Sequence, residues 1–194
     1  MKNRETREME LRIQQNDSSY TVEGYASTFE PYVLMSIDGK DYSERIDPKA
    51  FDDADLSDVV FRVDHEGAVY ARTSAGTVSL DIDEHGLHNV TDLSRTQRSR
   101  DLYEDIAAGN YPKMSFAFTV AEDHYERDTR TRVIDRIGKV FDISAVSFPA
   151  NPMTELSARD YFDGVIEAER AERLEAERRE RQRKRIELLL EVSK

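Results

Sequence analysis

Between Met114 and Val120 the chain alternates strictly between large and small side chains. Met114, Phe116, Phe118 and Val120 share one parity, and Ser115, Ala117 and Thr119 share the other. Successive side chains of a strand point to opposite faces. The stretch therefore predicts a strand with its large face in a core and its small face open to close approach by an extended peptide backbone. Similar runs surround it. Met9, Leu11 and Ile13 alternate with charged residues, and Tyr20, Val22 and Gly24-Tyr25-Ala26 follow an Asn16–Ser19 turn, which predicts a hairpin. Val59–Val63 is β-branched and aromatic, and Thr77–Ile82 turns at Asp83–Gly86 into Leu87–Leu93. Further strands are expected over Val133–Ile137 and Val140–Phe148, and a helix over Ser94–Gly109 with Leu102, Tyr103, Ile106 and Ala107 on one face. Many short strands with one or two helices imply a β-barrel or sandwich with peripheral helices.

The last thirty residues follow a different rule. Beyond Gly164 there is no glycine or proline, and from Val165 onward Ala, Glu, Arg and Leu dominate, all strong helix formers. Acid–base pairs four residues apart, such as Glu169 with Arg173, Glu175 with Arg179 and Glu177 with Arg181, support a helix there. Such a helix would be roughly 42 Å long at 1.5 Å per residue. It reads either as a solvated projection or as an assembly element whose apolar end (Ile186, Leu188, Leu189, Leu190, Val192) meets a partner, including a second copy of the chain. The division expected is a body over 1–160 and a charged helical tail over 165–194. Of the net charge of −12, the tail from Glu167 carries +1, so the body carries −13.

That acidic body disfavours general nucleic-acid binding, which needs basic charge to replace counterions. With no cysteine among 194 residues, disulfide frameworks, thiol nucleophiles and thiolate zinc sites are excluded. No apolar run of 18 residues or signal-peptide core is visible. The expectation is a soluble intracellular protein with no metal, cofactor, membrane or nucleic-acid partner.

Three residues stand out chemically. His65 follows the Val59–Val63 run on the face of Val59, Phe61 and Val63; it is either a core-edge histidine or a base positioned by the core with its ring toward solvent. Ser115 lies on the small face of its strand, outside any G-x-S-x-G elbow; as a nucleophile it needs an adjacent base held by a third group. Asp142 sits in an otherwise apolar strand, where a carboxylate is costly to bury unpaired. It either faces solvent or Lys139, or orients His65. Ser144 and Ser147 compete with Ser115 but lack its flanking pattern. His85 and His88 lie close in sequence beside Asp83 and Glu84, where a solvated hairpin is a simpler reading than a metal site, and His124 falls in a charged loop.

Together these pieces resemble the prohead (capsid maturation) serine proteases of tailed bacteriophages. The matching stretches are Glu23–Phe29, Ile46–Phe51, Val63–Glu66, Ala71–Thr77, Glu84–Leu87, Met114–Phe118, and Asp142–Val146 followed by Pro149-Ala150. They recur in order over about three quarters of the chain, from Leu11 to Thr154. The resemblance implies an α+β fold related to herpesvirus assemblin: a mostly antiparallel β-barrel with peripheral helices, here followed by the long charged helix. It implies a serine endopeptidase with Ser115 as nucleophile, His65 as base and Asp142 as third member, His88 being the rival because herpesvirus relatives use a second histidine. The family more often has glycine where Ala117 and Lys49 stand, and Ala117 adds a methyl near the expected oxyanion donors, the N–H groups of Phe116 and Ala117. The implied substrates are the major capsid protein, a scaffold and the protease itself, cleaved inside the assembling prohead in the host bacterial cytoplasm. The competing reading is a non-enzymatic capsid-assembly scaffold or chaperone acting through the C-terminal helix.

Overall fold

The computed structural model describes residues 4–9, 14–16, 19–147 and 156–192. Chain contacts group it into two units, Met1–Leu156 and Ser157–Lys194. The class is α+β, mostly strands. The first unit runs β1 (Arg4–Met9), β2 (Gln14–Asn16), β3 (Thr21–Thr28), β4 (Tyr32–Ile37), β5 (Lys40–Ile46), β6 (Val60–Val63), β7 (Glu66–Arg72), β8 (Val78–Ile82), β9 (Gly86–Asp92), α1 (Gln97–Ala107), β10 (Lys113–Glu126) and β11 (Thr131–Val146).

The strands form two sheets. β2-β3-β9-β8 is antiparallel throughout. In the seven-stranded sheet the order is β1-β10-β11-β5-β4, with β6 also on β11 and β7 on β6. Among the described residues no strand ladder closes either sheet into a ring. One hydrophobic core joins the two sheets: Val22, Ala26, Val78 and Leu87 meet Phe61, Phe116, Phe118 and Ile143, with Leu102, Tyr103 and Ile106 of α1. The large face of β10 lies in this core, where the Phe116 and Phe118 rings stack at 4.3 Å.

β11 organises the larger sheet. One edge pairs with β10, and the other pairs in parallel first with β5 (Thr131–Ile134) and then with β6 (Asp142–Ala145). Residues 131–146 form one strand where the sequence suggests two. Gly138 causes no break because the strand passes close to Thr119 there, and a Cβ would lie 3.0 Å from the Thr119 Oγ1. Asp55 fills the gap between β5 and β6, its N–H bonding the Gly138 carbonyl and its own carbonyl accepting the Val140 N–H.

Two other differences from the sequence reading have local causes. The expected N-terminal strand is two strands: β1 ends at Met9 and pairs with β10, while β2 pairs with β3; Leu11 and Ile13 fall outside the described residues. The β4–β5 hairpin turns at Asp38-Gly39, both left-handed (φ 53° and 71°), the pair that a two-residue type I′ turn favours. Helix α1 matches its expected span and ends in a Schellman motif: Gly109 (φ 83°) donates to the Ile106 carbonyl and Asn110 to that of Asp105.

The second unit is helical. Helix α2 (Leu156–Val192) has 37 residues and starts before the expected Val165. Gly164 does not end it, since a single interior glycine costs only about 1 kcal/mol relative to alanine. Pairs four residues apart run along its exposed surface: Glu175 with Arg179, Glu177 with Arg181, Glu180 with Lys184 and Arg183 with Glu187. Among the described residues no helix is long and apolar enough to cross a membrane.

Candidate active site

The register of the seven-stranded sheet brings distant residues to one face. Ser115 of β10 pairs with Ser144 of β11, and Ala117 with Asp142, so Ser115, Asp142 and Ser144 share the face opposite the core. A bulge aims Asp142. The pairing steps from Ala117–Asp142 to Phe118–Val140, leaving Phe141 as an extra residue. Val140 therefore points into the core while Asp142, two residues on, points away from it. Strict alternation would have put both on one face.

His65 is not in the strand whose parity it seemed to share. β6 ends at Val63, Val63 pairs with Glu66, and Asp64-His65 is the two-residue turn between β6 and β7. Both turn residues are left-handed, with φ of 47° and 60°, the combination a type I′ turn requires. Aspartate and histidine tolerate this region better than most residues, and each such position costs about 1–3 kcal/mol. The end of β11 holds the turn in place. Asp64 N–H donates to the Ala145 carbonyl at 3.0 Å, His65 N–H to the Ser144 Oγ at 3.3 Å, and the Asp64 carboxylate accepts the Ser147 N–H at 3.0 Å.

The turn swings the imidazole back over the sheet. Its Nδ1 lies 2.6 Å from Asp142 Oδ1 and its Nε2 2.6 Å from Ser115 Oγ. A carboxylate only accepts, so the ring proton sits on Nδ1 and Nε2 presents its lone pair to the serine. Ser144 Oγ donates to Asp142 Oδ1 at 3.0 Å, and Arg4 of β1 binds Oδ2. Asp142 is 2% exposed and Ser115 fully buried, whereas the His65 side chain is 18% exposed. Burial, and after it the positive charge of Arg4, lowers the His65 pKa from 6.5 to about 4; Asp64 opposes this and Arg62 adds to it. The ring is therefore neutral, in its proton-accepting form, at neutral pH. The Ser115 hydroxyl has a second acceptor, the Arg7 carbonyl of β1 at 2.8 Å.

The other candidates lie elsewhere. His88 is on β9 in the other sheet, its ring 5.0 Å from that of Tyr25. His85 sits exposed beside Glu84, and His124 pairs with Asp135. Lys139 bonds Asp55, so it is not the partner of Asp142. Ser147 serves Asp64. The expected oxyanion donors meet a difficulty: β10 is paired on both edges at Phe116 and Ala117, with Arg7 and Thr6 on one side and Ile143 and Asp142 on the other. Their N–H groups therefore lie within the sheet's ladders and are not directed at its face. Among the described residues no group of three histidines or carboxylates is placed to hold a metal ion.

Arg4, Ser144 as a hydrogen-bond partner and the Arg7 carbonyl were not found from the sequence. Ser144 could have been suspected from its i+2 spacing to Asp142, but Arg4 and Arg7 carry no local signal.

No curated protein and no solved structure gives a significant match to the chain. A family model does: residues 7–167 match that of the caudovirus prohead serine protease, spanning the end of β1 and all the strands from β2 to β11. With well over half of its length matched, the chain belongs to the caudovirus prohead serine protease family.

Proposed function

We propose that this chain is the endopeptidase that cleaves the scaffolding region of the capsid protein, or a separate scaffold, and itself, during prohead maturation. Ser115 is the nucleophile, His65 the general base and Asp142 the group that holds the imidazole. The observation that carries the reading is the chain of two 2.6 Å contacts, from Asp142 to His65 and from His65 to Ser115, in a member of a serine protease family. Ser115 Oγ attacks the peptide carbonyl carbon as its proton passes to His65 Nε2; the imidazolium then gives that proton to the leaving amine, and water hydrolyses the acyl-enzyme with His65 again as base. Asp142 remains ionised and stabilises the transient imidazolium. The barrel architecture related to assemblin belongs to the same proposal, supported by two sheets that share one core. So does the two-part organisation, with a protease domain over 1–160 and a tail over 165–194 that serves incorporation into the shell or is removed by self-cleavage.

Co-expression with the capsid protein tests this. The wild-type chain shortens the substrate, and Ser115→Ala leaves it full length. Cleavage that persists in the Ser115→Ala chain overturns the nucleophile assignment; full-length substrate with both chains, alongside normal shell assembly, favours the scaffold or chaperone reading.

A further inference from the structure

We propose that Arg4, brought in by the first strand, is a positioning residue of the active site: it grips the Asp142 carboxylate by the oxygen His65 leaves free and presents a fixed positive charge to the imidazole. This rests on the reading of His65 as base and Asp142 as its partner. Arg4 lies outside the span matched by the family model.

The placement follows from strand parity. In β1, Arg4 pairs with Thr119 and Thr6 with Ala117, so Arg4 and Thr6 share the face of Ser115 and Asp142. Glu5 and Arg7, of the other parity, point to the other face, where both are buried in ion pairs with Glu44 and Arg132. Those pairs anchor the strand, so its register cannot slip without exposing buried charge. From there the Arg4 guanidinium reaches Asp142 Oδ2 and lies 5.3 Å from the centre of the Phe141 ring, the bulged residue that aims Asp142. The carboxylate is thus fixed from three sides, by His65 and Ser144 on Oδ1 and by Arg4 on Oδ2. Arg4 itself is 41% exposed, unlike the fully enclosed Arg7, so its pair adds little to the core.

What Arg4 changes is the balance of charge around the ring. Facing His65 are Arg4 from β1, Arg62 from β6, Asp64 from its own turn, the Ser115 hydroxyl from β10, and Asp142 with Ser144 from β11. With Arg4 present, Asp142 orients the imidazole while its negative charge is balanced. Without Arg4 one cation is lost and the carboxylate beside the ring is left uncompensated. Both changes favour imidazolium. The base would then be orientated less firmly and would be protonated at mildly acidic pH.

The test compares the full-length wild-type, Arg4→Met and Arg4→Lys chains in two measurements. One is the pH profile of kcat/KM for capsid-protein cleavage. The other is the NMR titration of the His65 ring, recorded in a Ser115→Ala background so that it does not depend on turnover. In Arg4→Met the acid limb and the ring titration both move up by about 1 unit, the effect of one nearby charge, from a starting value of about 4, with about a twofold loss at pH 5 that grows toward about tenfold below pH 4 and a far smaller one above pH 8. Arg4→Lys, which keeps the charge, restores most of the shift. If Arg4→Met titrates where the wild type does, the proposal fails. If Arg4→Met does not fold, Arg4→Lys still decides, because a profile displaced upward by about 1 unit despite the retained charge would contradict the role of charge. Failure of the protease reading is seen separately, as cleavage that survives Ser115→Ala.

Discussion

β1 feeds alternate side chains into two polar clusters on opposite faces of the same sheet, and the clusters differ in how their charges are matched. On the core side, Arg7 and Arg132 interleave with Glu5, Glu44 and Asp123 at 2.5–3.1 Å, and the Tyr32 hydroxyl donates to Glu44. Burial works against the charge of Glu44, but Arg7 and then Arg132 outweigh it and hold its pKa below the ordinary value. The Arg7 pKa is raised well above normal despite its own burial, by Glu44 first and Glu5 after it. Arg7 and Glu44 thus hold each other in their charged forms. On the site side, Asp142 shares its charge between Arg4 and a neutral imidazole, so one group, His65, remains free to take a proton. A buried cluster fixes structure when its charges are fully answered, and supports chemistry when one acceptor is left open.

Three experiments probe that contrast, and their effects descend in size. Asp142→Asn should lower kcat by about 10⁴-fold, the cost of presenting the wrong tautomer in this kind of constellation, while thermal stability changes little; His88→Ala should leave kcat near wild type. Steady-state cleavage assays decide, and the reverse ranking would transfer the third role to His88. Next, Glu44→Gln should destabilise the fold by about 3 kcal/mol, since it removes the buried carboxylate that Arg7 and Arg132 share and leaves two buried cations with Glu5 and Asp123 alone. Urea denaturation measures this, and the acid limb of the surviving activity should stay in place. A moved limb would mean that the two clusters are coupled.

The last is a pH effect. His65 binds its proton at about 4 in the folded chain and near 6.5 unfolded. Between these values the unfolded state holds more protons, so stability rises with pH. The contribution is complete above about pH 6.5 and is lost as pH falls toward 4; its size is at most about 3 kcal/mol, from 1.36 kcal/mol per unit, reduced by the partial exposure of the ring. Glu44 acts in the same direction but below the ordinary glutamate range, since its folded pKa is the depressed one. Denaturation at several pH values should therefore show two separate windows, and His65→Gln should remove only the upper one.

The sequence shows these features unevenly. Ser115 was visible because large and small residues alternate around it over seven positions, a pattern that survives without knowledge of its neighbours. Asp142 was visible only as an acid among apolar residues, because the bulge at Phe141 that turns it from the core depends on pairing with β10. His65 drew attention for an unsound reason, a strand parity that ends at Val63. Its actual position comes from two left-handed residues in a tight turn, which Asp-His permits but does not announce. Arg4 was invisible, because the register that sets residue 4 beside residue 119 is a long-range property of two strands. Gly164 misled in the opposite way, since helix propensity counts a glycine as a weak point and not as a stop. The Asp38-Gly39 hairpin was local and readable, and was passed over.

The route by which β11 enters the sheet has a consequence for synthesis. Its last residues insert between β10 and β6, in parallel with a strand that left the ribosome some eighty residues earlier. Such long-range parallel pairing forms late in folding. With translation adding about 5–20 residues per second, His65 and Ser115 are both synthesised about 1–5 seconds before Asp142 and Ser144. During that interval the turn carrying His65 lacks its clamp, and the imidazole lacks the carboxylate that fixes its tautomer. Under the proposed triad, the constellation is complete only when the final strand has docked.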